Sequence, residues 1–184
     1  MVNQNGKDEA IREGGVGTAE EEEQQDMAFD FNHTFEDMDW WPELADLDRL
    51  NILSSPKEDR ARLLASKYSK PVAEIMIEIG NKTDLDYHED FEMPENPTKL
   101  LPMRLIHNYC CLPTEINNKD KLCLVTPWPP TEVMSRWVFA VSGRKPLWSL
   151  GSPEKISRAI TENFGIGADS LDESDLEDES DEDS

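Results

Sequence analysis

Residues 100–171 read LLPMRLIHNYCCLPTEINNKDKLCLVTPWPPTEVMSRWVFAVSGRKPLWSLGSPEKISRAITENFGIGADSL, and this stretch decides the fold. Its last helix is defined from both ends. Ser152 offers a hydroxyl to an orphan amide of the first turn, and Pro153 follows where a missing N–H costs nothing. Ile156, Ala159, Ile160 and Phe164 recur at the spacing of one buried helical face. Gly165 is expected to stop the helix in the left-handed conformation. Working backward, residues 145–150 carry Leu147, Trp148 and Leu150 between Gly143 and Gly151, and read as a strand. Residues 131–141 place Val133, Met134, Trp137, Val138 and Val141 on one face, so a helix is expected after Pro129-Pro130 and before Gly143. Leu112, Thr114 and Ile116 alternate with Cys111, Pro113 and Glu115. A polar turn at 117–120 and the apolar run 122–125 complete a β-hairpin with a four-residue connection. Residues 102–109 read as a short helix carrying Met103, Ile106 and Cys110 inward, with Leu101 a poor cap. The order helix-strand-strand-helix-strand-helix predicts an α+β domain, a small three-stranded sheet with its helices on one face.

Outward from this stretch the chain becomes acidic. Its 184 residues allow one domain with tails or two very small domains. The formal net charge is −22, which argues against binding to nucleic acid backbones or anionic membrane surfaces. Residues 1–48 hold fifteen acids and two bases, and residues 169–184 hold ten acids and no base. Residues 49–168 hold fifteen acids and sixteen bases, so the acidity belongs to the flanks. Residues 1–25 and 169–184 have too little apolar content to offset their ordering entropy and are expected to be disordered. No positively charged segment leads into an apolar core at the start, and no apolar run approaches twenty residues. A cytoplasmic protein without membrane insertion is the expectation.

Between these lie two further segments. Residues 26–50 set Phe29, Phe31, Phe35, Trp40 and Trp41 among aspartates and glutamates. Such interleaving keeps a sticky segment soluble until it meets a surface. That surface is either a partner, with the segment as a docking motif, or the chain's own domain, with the segment as an N-terminal arm. Residues 51–98 form a helical extension and an acidic loop. Within them 56–68 reads as a helix capped by Ser55, and 71–79 as either a strand or a short helix. Residues 81–97 read as a turn-rich surface loop.

The packing pattern of 100–171 resembles the N-terminal domain of the ATPases of type II secretion and type IV pilus assembly. Leu101-Pro102 and Leu112-Pro113 match paired Leu-Pro elements of that family, before its first helix and at the hairpin. The run 122–125, Gly143 with the strand 146–150, and Ile156, Ile160, Phe164 and Gly165 match the rest. The likeness extends upstream through LASKYSKPV at 64–72. It implies a domain that contacts a membrane platform, with a secretion or pilus ATPase or an inner-membrane platform protein as partner. It also implies, as the alternative, a module sensing a cyclic dinucleotide through tandem Arg-Leu-Gly elements. Here Arg104-Leu105 continues into Ile106 without a second copy, Thr126-Pro127 replaces the family's Asp-Pro, and 81–97 is a longer insertion.

The chemical motifs are those of a binding protein. No P-loop, dinucleotide fingerprint, nucleophile elbow or zincin motif occurs, so neither catalysis nor a cofactor is expected. Cys110, Cys111 and Cys123, with His107, lack the paired spacing of a structural zinc site and read as small buried thiols. Trp128, Trp137 and Trp148 read as core and rim of the sheet, with a partner groove as the other reading. Arg136, Arg144 and Lys145 form the one local basic patch, either a solvated face or a site for an acidic partner segment. A dinucleotide would require Arg104, Arg136 and Arg144 to converge on its phosphates.

Overall fold

A computed structural model describes residues 37–165. The expectations for 1–25 and 169–184, and those for Phe29, Phe31 and Phe35, lie outside the described residues. Three helices come first: α1 (Asp46–Leu53), α2 (Lys57–Tyr68) and α3 (Val72–Thr83). Strand β1 (Tyr87–His88) and a 3-10 turn (Pro97–Lys99) lead to α4 (Met103–Tyr109), then to the hairpin β2 (Leu112–Ile116) and β3 (Leu122–Thr126). Helix α5 (Glu132–Ser142), strand β4 (Pro146–Gly151) and helix α6 (Pro153–Phe164) complete an α+β fold.

The sheet has four strands in the order β1-β4-β3-β2, not three. The fourth comes from inside the expected 81–97 loop. Tyr87 and His88 pair in parallel with Leu150 and Gly151, and Leu150 N–H donates to the Asp86 carbonyl at 2.7 Å. Strands β3 and β4 are also parallel, which requires the α5 crossover between them. Strand β2 forms the far edge, where Pro113 is tolerated because a missing N–H costs least there. A bulge between Pro113 and Glu115 interrupts the expected alternation and leaves Ile116 37% exposed.

Local chemistry accounts for most boundaries. Asn117 Oδ1 accepts from the Lys119 and Lys121 amides at 3.0 and 2.9 Å and so closes the hairpin turn. The 71–79 ambiguity resolves as a helix, because Ile75, Met76, Ile79, Gly80 and Thr83 share one buried stripe. Ser55 does not cap α2; its hydroxyl donates to the Asn51 carbonyl at 2.8 Å and Pro56 takes the cap position. Gly165 is extended at φ −67° and not left-handed. It is required sterically instead, since a Cβ there would lie 2.4 Å from the Thr161 carbonyl oxygen.

Two apolar clusters hold the body together. The first joins Met38, Trp41, Leu44 and the buried faces of α2 and α3 to Trp128 and Leu150, which ties the N-terminal helices to the sheet. The second gathers Leu101, Ile106, Leu112, Leu124, Val138, Ile156 and Ile160 around the hairpin. On β4, Trp148 reaches α5 and Leu150 lies 3.8 Å from the position of a Cβ on Gly80 of α3, so one sheet side carries helices. The residues that alternate with them, Leu147 and Ser149, point to the opposite side.

Candidate functional site

The candidate surface is the outer side of α5. Thr131 starts the helix by accepting from the Met134 amide at 3.2 Å, and Gly143 ends it in the left-handed region at φ +68°. Between these caps the apolar positions span too wide an arc for one covered face. The indole N–H of Trp148 donates to Ser135 Oγ at 2.9 Å. Ser135 faces inward there together with Met134 and Val138. The rest of the expected face lies outward: Val133, Trp137 and Val141 are 52%, 53% and 47% exposed. Their four-residue spacing stacks them into a ridge along the helix. The reading of all five as one buried face is therefore corrected: Met134 and Val138, 1% and 0% exposed, are the part of the arc that packs inward.

The basic residues flank this ridge. Arg136, exposed on α5, forms an ion pair with Glu132 one turn earlier. Arg144, just past the helix, places Nε 2.9 Å from Asp120 Oδ1 on the hairpin turn. Lys145 is half-buried, and its carbonyl accepts from the Leu122 amide at 3.0 Å. Arg104 lies exposed on α4, a different helix. Arg136 and Arg144 thus each have a carboxylate at hand.

Trp40 and Trp41 lie on the body. Trp41 is 2% exposed, donates its indole N–H to Tyr68 Oη at 3.2 Å, and receives Lys82 Nζ 4.9 Å from its ring centroid. Trp40 is half-buried, edge-on to Trp41 at 6.0 Å and 5.5 Å from Trp128. The three tryptophans read as core and rim separate: Trp128 is 1% exposed, Trp148 is half-buried, and Trp137 stands out in solvent.

The thiols and His107 have local roles. His107 Nε2 lies 2.7 Å from the Phe164 carbonyl oxygen and joins α4 to the end of α6. Cys110 closes α4 in the left-handed conformation, while Cys111 is wholly buried. Burial pushes both thiols up to about 12, so they are protonated at neutral pH and poor nucleophiles. Among the described residues no three His, Cys, Asp or Glu side chains are grouped to hold a metal.

A cleft of about 760 Å³ lies between α2, α3 and α6. Its carboxylates Glu58, Asp59, Glu89, Glu154 and Glu162 outnumber Arg62 and Arg158. Both arginines are already paired at 2.6 Å, with Asp59 and Glu154. Such a lining repels phosphate.

Comparison with known proteins gives a likeness in structure and none in sequence family. No family profile and no curated protein matches the chain. Among solved structures, the N-terminal domain of XpsE is similar at 14% identity, over 78% of this chain and 95% of that one, with a TM-score of 0.39.

Proposed function

We propose that this protein is a non-catalytic interaction module that presents the α5 ridge to a partner protein. The observation carrying this reading is Trp137, half in solvent between Val133 and Val141. Exposed tryptophan among aliphatic neighbours is the composition of an interface centre, where desolvation of a large rigid ring supplies most of the binding energy. Arg136, Arg144 and Lys145 around the ridge favour a partner whose apolar patch has an acidic rim. The resemblance of residues 100–171 to the N-terminal domain of secretion and pilus ATPases supplies the class. The partner is a secretion or pilus ATPase or an inner-membrane platform protein, met at its cytoplasmic side. No helix among the described residues is long and apolar enough to cross a membrane. The dinucleotide alternative draws no support from the carboxylate-lined cleft.

The test is calorimetric titration of the full chain with the motor ATPase, and with the cytoplasmic part of the platform protein, from the same genome. Micromolar binding is expected to one of them, weakened at least tenfold by Trp137→Glu with the melting midpoint retained. Absence of binding to both, or equal binding by Trp137→Glu, would overturn the reading.

A further inference from the structure

The sheet side turned away from α3 and α5 holds a groove of about 590 Å³. Its floor is β3 and β4, where Cys123, Val125, Leu147 and Ser149 follow one another on the face opposite Trp148. Leu147 is 45% exposed there. The floor's hydroxyls are turned back into the sheet: Ser149 Oγ donates to the Leu124 carbonyl at 3.2 Å and Thr114 Oγ1 to the Cys123 carbonyl at 3.3 Å. The apolar surface the floor offers is therefore Leu147 with part of Cys123, since Val125 is 1% exposed. Phe91 and Met93, half-buried, bank one side.

The walls are acidic. Asp86 and Glu92 stand on the β1 side and Glu115 on the β2 side, and none of the three is in an ion pair among the described residues. Asp90 also reaches the groove but is held by Lys155 at 2.6 Å. Charge is concentrated here against the trend of the body: residues 84–95 hold six of the fifteen acids of 49–168 and none of its sixteen bases. The field over the groove is negative although the body as a whole is near neutral.

From the exposed Leu147 between carboxylates that form no ion pair among the described residues we infer that this groove docks a basic amphipathic segment of a partner protein. An apolar ridge of the segment sits on Leu147 and Cys123, and its lysines or arginines face Asp86, Glu92 and Glu115. The groove lies on the sheet side turned away from α5, so a ligand there does not meet the α5 ridge. The inference stands independently of the α5 reading.

The probe is a synthetic helical peptide of leucine and lysine only, with a polylysine of equal length as control, titrated into the full chain at about 0.15 M salt. The leucine-lysine peptide should bind at micromolar concentration and much more tightly than polylysine. Glu92→Lys with Glu115→Lys, and separately Leu147→Lys, should each weaken it at least tenfold with circular dichroism unchanged. Trp137→Glu should leave peptide binding as it is. Equal affinity in the groove variants would place the peptide on the acidic flanks and overturn the inference. So would a dimer in light scattering, without peptide, that Leu147→Lys dissolves, since a second copy would then be the occupant.

Discussion

Replacing Trp41 by alanine should cost the body about 4 kcal/mol. The side chain is 2% exposed, and a buried indole removes roughly 150–250 Å² from water. At about 25 cal/mol per Å² that corresponds to roughly 4–6 kcal/mol, and truncations of buried Trp fall at about 3–5 once the site partly collapses. Two specific contacts go with it, the N–H donated to Tyr68 at 3.2 Å and the Lys82 ammonium 4.9 Å from the ring. Trp41→Phe separates these effects, because it keeps a ring and loses the hydrogen bond; its cost should be smaller, about 1–2 kcal/mol. Against a total stability of about 5–15 kcal/mol the alanine variant should remain folded but weakened. The assay is urea unfolding followed by far-UV circular dichroism. With a slope near 2 kcal/mol per molar urea, the midpoint should fall by about 2 M for Trp41→Ala. A fall below about 0.5 M, with slope unchanged, would refute the assignment of residues 38–44 to the core. It would return the aromatic segment to the docking reading.

Two further outcomes test the fold. Ser135→Ala removes the acceptor of the half-buried Trp148 indole N–H, and loss of that bond should cost about 0.5–1.5 kcal/mol in the same urea assay. Stability should also fall at alkaline pH, because burial raises the Cys111 thiol from 9.0 to about 12. Between those values the unfolded thiol has lost its proton while the folded one keeps it. Stability then falls with each pH unit above about 9 until the folded thiol titrates. Melting midpoints from pH 8 to 11 should fall less steeply for Cys111→Ala than for the parent chain.

The local elements were legible because their signals lie within a few residues. Ser152 and Pro153 start α6, Gly143 closes α5, and the Asn117 turn joins two apolar runs, each a matter of backbone groups satisfied by close neighbours. The hairpin, the crossover helix and the α+β class followed from these. Other features waited for the tertiary structure. Tyr87 and His88 carry no strand pattern of their own; they form a strand because Leu150 and Gly151 present an edge to them, more than sixty residues away. Residues 71–79 suited either period, and the packing of Gly80 near Leu150 goes with the helical one. The ridge on α5 shows the same division. Sequence periodicity placed five apolar residues on one arc, yet only Met134 and Val138 are buried, beside the bond from Trp148 to Ser135. Periodicity records which side of a helix is apolar, whereas the share of it left to a partner depends on how much surface a distant element can cover.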